Sequence, residues 1–283
     1  MSQNKKKHMR SVIWWVSLIM CFVFIIGGGS CFVCYYVTSL ESKEVYDELA
    51  SIRNSVLDDE TYPWNEIIIE TEPPETTEPG SDVVIVGPSL VEKEFLPECK
   101  ALYELNNDMV GWISVPETDI NYPVLQTGTD TRDYYLRKDF YGNYSRHGCI
   151  YASEDCNIFA PSDNITLYGH HMRDGSMFAD LDLYKDYDYW KEHQYFTFDT
   201  LYEHHRYQII AVFKTHASTG FRYHLFTNAA DETDFNNFIS TIKGMQFYET
   251  GLSAEYGDKI VCLSTCEYTL GDGRFVVVGK RIS

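Results

Sequence analysis

From about residue 90 onward the chain is written in short runs of apolar residues alternating with polar ones and bounded by Gly, Pro, Asn and Asp, the pattern of half-buried strands. Runs of this kind cover 109–115, 121–126, 148–152, 165–170, 195–199, 206–214, 261–266 and 275–281, with a turn at Pro116 between the first two. Helical spacing replaces the period of two at 91–107, where Pro97 interrupts an amphipathic helix, then at 177–184 with 187–193, and again at 231–245. Abundant Tyr and Phe, with many β-branched residues, favour strands over helices. About eight short strands with helices set into their connections predict a mainly β fold, a closed β-barrel with an N-terminal helix, because closure leaves no strand edge exposed.

The first part of the chain has a different pattern. After Lys5, Lys6, Lys7 and Arg10 no charged residue occurs until Glu41, a gap long enough to cross about 30 Å of hydrocarbon as a helix. Residues 11–38 are expected to form a single membrane helix. The basic residues before it would keep 1–10 in the cytoplasm and send everything after Thr38 outside, giving a single-pass membrane protein with an extracellular domain. A cleaved signal peptide competes with this reading through the small residues at 27–30, but 31–37 continue the apolar run, and lipid attachment at Cys31 lacks the flanking residues of a lipoprotein signal.

Residues 39–60 space Val45, Leu49, Ile52 and Leu57 as a short helix, expected as a stalk. Residues 61–89 collect Pro63, Pro73, Pro74, Pro79 and Pro88 among Glu and Thr, too polar to bury a core and expected as an extended linker. Residues 90–283 are then one folded domain.

Asp and Glu outnumber Lys and Arg by 42 to 23, a formal charge of −19, which argues against nucleic acid or anionic lipid head groups as ligands of the exposed part. Of the eight cysteines, Cys21, Cys31 and Cys34 fall in the apolar stretch. Cys99, Cys149, Cys156, Cys262 and Cys266 remain, an odd number, so at least one is outside any internal disulfide. A Cys149–Cys156 pair across a short loop is left open by the sequence. Cys262 shares a strand face with Cys266 and reads as a core residue. No cysteine pair has the spacing of a zinc knuckle.

Two strand-like runs end in chemistry. The run 260–266 delivers Cys266, the run 166–170 delivers His170, and Arg274 opens the last apolar run. A thiol is a few per cent ionised near neutral pH, so a nucleophilic cysteine needs a base or a positive neighbour, and acyl transfer also needs an acid for the leaving amine and donors for the oxyanion. On residue types alone, Cys266 is either such a nucleophile or a buried structural thiol. His171 should point away from His170 on a continuing strand. His204 and His205 read as a turn beside Glu203 and Arg206, and Asp180, Asp182, Asp186 and Asp188 lack the glycine and spacing of a calcium loop. Phe221, Arg222 and Tyr223 either line a peptide groove or pack in a loop.

The combination resembles a known family. Leu263-Ser264-Thr265-Cys266 resembles the Leu-x-Thr-Cys motif of sortases, Tyr168-Gly169-His170-His171-Met172 resembles their catalytic-histidine segment, and Arg274 follows the cysteine as their catalytic arginine does. Asp174-Gly175-Ser176-Met177-Phe178, the helix in the long connection before the cysteine strand and the helix preceding Gly111-Trp112-Ile113 are similar to class B sortases in particular. The resemblance spans roughly 90–283.

It implies a transpeptidase of the Gram-positive cell surface that cleaves a C-terminal sorting signal of a secreted protein, holds the acyl part as a thioester, and passes it to an amine. The acceptor would be a peptidoglycan cross-bridge amine or a pilin lysine, for wall anchoring or pilin polymerisation. Carried over by residue, Cys266 would be the nucleophile, His170 the acid and then the base, and Arg274 the support for the substrate carbonyl or oxyanion. The backbone N–H of Glu267 would be an oxyanion donor, and Ser264 and Thr265 would contact substrate. The resemblance implies no metal or other cofactor, and the calcium dependence of some other sortases is not implied. Two other classes use the same features differently: a membrane-tethered thiol hydrolase, in which water resolves the thioester, and a non-catalytic surface binding module.

Overall fold

The computed structural model describes residues 2–57, 94–269 and 271–283. The linker expected at 61–89 lies outside the described residues, as do the last residues of the expected stalk and the first of the expected 91–107 helix. Among the described residues eight strands close into a barrel: β1 (Met109–Ser114), β2 (Asn121–Leu125), β3 (Ile150–Ala152), β4 (Asn164–Tyr168), β5 (Tyr195–Thr200), β6 (Arg206–His216), β7 (Ile260–Glu267) and β8 (Gly273–Arg281). Their order around the barrel is β1-β2-β3-β4-β7-β8-β6-β5, and β5 pairs back onto β1. β2 with β3 and β4 with β7 run parallel, whereas every other pair is antiparallel. The closed barrel expected from the alternating runs is what the chain forms.

Burial follows the strand period. On β7, Val261 and Leu263 point into the barrel with Phe275 and Val277 of β8. Ile260 and Cys262 point outward with Val276 and Val278, under α4 (Glu232–Met245), which covers them with Phe235, Phe238, Ile239 and Ile242. These two strands read as near-continuous apolar runs because both of their faces are buried. α4 starts where expected: Asp231 accepts a hydrogen bond from the Asp234 N–H at 2.9 Å, satisfying one free donor of the first turn.

α2 (Pro97–Leu105) begins at the proline instead of running through it. Leu96 is extended, as a residue before proline prefers, and Pro97 takes the first helical position, where its missing N–H costs nothing. The 177–193 region is a 3₁₀ turn, Ala179–Lys185, followed by the short α3 (Tyr187–Glu192).

α1 (Ser2–Leu57) is a single helix, and its last turns are no free stalk: they lie on the barrel. Tyr46, Leu49 and Arg53 recur on one face and are buried. The Tyr46 hydroxyl donates to the Gly148 carbonyl at 2.6 Å, and its ring meets Tyr122 edge-on. Arg53 pairs with Asp199 at 3.0 Å and lies 5.2 Å from the centre of the Trp112 ring.

The membrane placement expected from 11–38 is corrected here. Among the described residues no helix is long and apolar enough to cross a membrane. The described positions of that stretch include Gly27, Gly28, Gly29 and Ser30, which offer hydrocarbon little apolar surface, and the helix runs without a break into the charged segment beyond Thr38. A single-pass topology, an N-terminus in the cytoplasm, a domain outside and bilayer contact through this helix all rested on that span and fall with it.

Candidate active site

The site lies where β4, β7 and β8 end together. β4 and β7 are parallel and in register, Tyr168 opposite Ser264, so both strands leave the sheet at the same rim. The Gly169 N–H donates to the Ser264 carbonyl at 3.1 Å, and the Thr265 hydroxyl donates to the Gly169 carbonyl at 2.8 Å. Gly169 admits no side chain: a Cβ there would stand 2.5 Å from Ile150 Cδ1 and 2.7 Å from the Phe178 ring. The backbone just before His170 is therefore clamped from both sides.

Cys266, His170 and Arg274 all line one cleft of about 420 Å³. Cys266 is the direct cross-strand partner of Arg274, with both on the outer face of the barrel, two residues beyond Ser264 and two before Val276. Among the described residues of 94–283 it is the one cysteine that is not buried. Burial pushes the Cys99 thiol up to about 12 and the Cys156 thiol up to about 11, and it raises Cys149 and Cys262 as well. Cys149 and Cys156 are unbonded: each thiol donates instead to a carbonyl, of Lys138 at 3.2 Å and of Ser153 at 3.0 Å.

His170 Nε2 lies 2.8 Å from the Leu136 carbonyl. A carbonyl can only accept, so Nε2 carries the proton and Nδ1 is left to give and take one. Burial holds the pKa of His170 below its ordinary value, the Leu136 bond opposes this, and Arg137 and His147 add to it. His171 turns the other way, edge-on to Tyr268 and 3.8 Å from Asp182, as alternation predicts. Arg274 donates to its neighbour's carbonyl, Gly273, at 3.0 Å and keeps Asp272 at 3.8 Å.

The remaining sequence candidates separate. Ser264 faces the cleft and is hydrogen-bonded to the buried Tyr223 hydroxyl at 2.6 Å. The Thr265 hydroxyl is committed to Gly169, a tie between strands. The Glu267 side chain is buried away from the cleft, accepts from the Thr269 N–H and hydroxyl, and stands 3.6 Å from Lys185. Tyr223, one of the two options weighed for its loop, is both packed and in the cleft wall, and Phe221 joins it there. Asp180 and Asp186 have structural partners, the Asp119 and Asp188 N–H groups. Among the described residues no group of three His, Cys, Asp or Glu side chains converges as a metal site would.

Two contributors had no sequence signal. The Leu136 carbonyl belongs to a 3₁₀ turn, Tyr134–Arg137, far from His170 in the chain, and a backbone acceptor leaves no trace in residue type. Asp174, quoted in the sequence only for its motif, accepts from the Ser176 N–H and hydroxyl, from Ser39 and from His147.

The chain is similar to known proteins of one family. A family model described as the sortase domain matches residues 113–282. Sortase B of Listeria monocytogenes is 35% identical over 196 residues, covering 68% of this chain and 77% of the relative. A Staphylococcus aureus sortase B–substrate complex superposes with a TM-score of 0.69 at 25% identity, over 87% of this chain and 99% of that one. A Bacillus anthracis protein described as similar to sortase B gives a TM-score of 0.67 at 28% identity, over 86% and 96%.

Proposed function

The chain belongs to the sortase family and is a cysteine transpeptidase of the class B kind, and from that premise we propose that Cys266, His170 and Arg274 carry its reaction. The Cys266 thiolate attacks the scissile carbonyl of a sorting signal, and the electron pair of the C=O bond moves onto oxygen. Arg274, set beside the thiol by the β7–β8 register, stabilises that oxyanion, with the Glu267 backbone N–H as a second donor. As the tetrahedral centre collapses, the C–N bond breaks and protonated His170 gives its proton to the leaving amine through Nδ1. An acyl thioester on Cys266 remains. The incoming amine loses its proton to neutral His170 as it attacks, a second tetrahedral centre collapses, and the thiolate leaves.

The observation that supports this most directly is that the one unburied thiol of the barrel has a guanidinium as its register partner and shares a cleft with a histidine whose tautomer is fixed. Ser264, held by Tyr223, lines the substrate groove. The substrates are secreted proteins bearing a C-terminal sorting motif, and the acceptor is a peptidoglycan cross-bridge amine or a pilin lysine, attaching surface proteins to the wall or polymerising pilins. The test incubates the protein with fluorogenic sorting-motif peptides, with and without an amine acceptor, beside a Cys266→Ala control. Cysteine-dependent cleavage with an amine-ligated product by mass spectrometry is expected. Cleavage that survives Cys266→Ala rejects the assignment, and a product formed only with water makes the protein a hydrolase.

A further inference from the structure

We infer that His147 is a positioning residue for His170, pinning the turn that carries His170 to the strap that supplies its hydrogen-bond acceptor. This rests on His170 being the acid and base of the proposed reaction. The turn is tight: the Phe178 N–H returns to the His170 carbonyl at 2.9 Å, His171 bridges to Met177, and Asp174 sits at the tip. His147 Nε2 lies 2.8 Å from Asp174 Oδ2, and the same oxygen accepts from Ser39 of α1 at 2.6 Å. Ser176 donates twice to the other oxygen. Burial disfavours the charge on Asp174, but these bonds outweigh it and hold its carboxyl well below the usual range, so it accepts only and His147 must donate.

The other end of the link is the strap. Residues 134–138 run against 144–149: Lys138 bridges to Tyr144, the Ser145 N–H reaches the Arg137 carbonyl and the Cys149 N–H reaches the Tyr135 carbonyl, both at 3.0 Å. Gly148, next to His147, packs so closely on the strap that a Cβ would stand 2.7 Å from the Leu136 oxygen. That oxygen is the acceptor for His170 Nε2. One strap therefore grips the His170 turn twice, by a carbonyl at the imidazole and by His147 at the tip.

His147 does this at a cost that packing alone does not explain. Its side chain is 2% exposed, and its Nδ1 is buried without a hydrogen-bond partner, a place where an apolar side chain would serve the fold better. His147 is also close enough to act on His170 electrostatically, being one of the groups that lower its pKa.

The experiment compares His147→Ala with His147→Gln, whose amide N–H replaces the Nε2 donor, in the full chain. Expected for His147→Ala is a fall in kcat of roughly ten- to a hundredfold, with KM for the peptide within about twofold and a changed His170 Nε2 signal in histidine-labelled nitrogen NMR. His147→Gln should restore most of kcat and the signal. Should His147→Ala fail to fold, Asp174→Asn removes the same charged acceptor and carries the same expectation. Wild-type kcat in the folded Ala variant overturns the inference, as does equal loss in Ala and Gln with an unchanged His170 signal. His170→Ala is run in parallel: if it stays active, the catalytic reading of His170 is wrong, whereas an inactive His170→Ala beside an unaffected His147→Ala rejects only the positioning role.

Discussion

Cys266 and Arg274 stand opposite each other in the β7–β8 ladder, side chains on the same face, so the sheet itself sets the spacing of the two residues' Cβ atoms. Cross-strand partners keep their Cβ atoms about 4.5–5.5 Å apart, a spacing that no loop movement alters. Arg274→Lys keeps the charge but loses the planar fork of donors, and kcat/KM is expected to fall by about a hundredfold. Steady-state kinetics with a cleavable peptide reads this, and a lysine variant within fivefold of wild type would mean that charge alone suffices.

Thiol accessibility separates Cys266 from its neighbours. Under native conditions an alkylating reagent should add one more label to the wild type than to Cys266→Ala, counted by intact mass. Cys99, Cys149, Cys156 and Cys262 are buried with raised pKa values and should react only after unfolding. Labelling of any of these four in the folded protein would contradict the packing described.

Gly169→Ala tests the clamp behind the histidine. The added methyl meets the buried Ile150 and Phe178 at distances that real Cβ atoms do not show. A loss of about 1–3 kcal/mol in urea unfolding is expected, with a fall in turnover because His170 is the next residue. Unchanged stability would mean that Phe178 yields easily.

These contacts mark the boundary of what the sequence discloses. All eight strands were legible, because period-two runs and their turn residues are local signals. So was the outward turn of His171, and Cys266, His170 and Arg274, singled out by residue type and motif, line one cleft. Local patterns do not say that β4 and β7 pair in parallel or that Thr265 is spent on Gly169. They also do not reveal that a carbonyl from 134–137 orients the histidine. The stalk expected at 39–60 is, over 39–57, the end of a helix that packs on the barrel: Tyr46, Leu49 and Arg53 mark one face, but only the barrel's Gly148 and Asp199 give that face a partner. The membrane span was inferred from an absence of charge, which is a weaker signal than a lasting apolar surface.

Stability should decline in mild acid. Burial depresses the pKa of His170, and also of His205 and His224, where positive neighbours assist it. The unfolded chain then takes up protons below about pH 6.5 that the folded one refuses, so this contribution is present above that pH and is lost as pH falls toward the folded values. Asp174 behaves likewise at lower pH, below the ordinary carboxylate range. His193, raised by its hydrogen bond to Glu117, acts in the opposite sense, but Glu117 is exposed and solvent screens the pair. The urea midpoint at pH 5.5 should lie below that at pH 7.5; a higher midpoint at the lower pH would reverse the sign argued here.

The parallel pairing of β4 with β7 also bears on biosynthesis. A ribosome makes β1 through β6 before β7 and β8, yet the barrel has no closed form until those last two strands fill the gap between β4 and β6. Pairings between segments so distant in the chain form slowly and together. Cys266 and Arg274 thus reach the cleft they share with His170 in the late event that closes the barrel, after every other strand has been made.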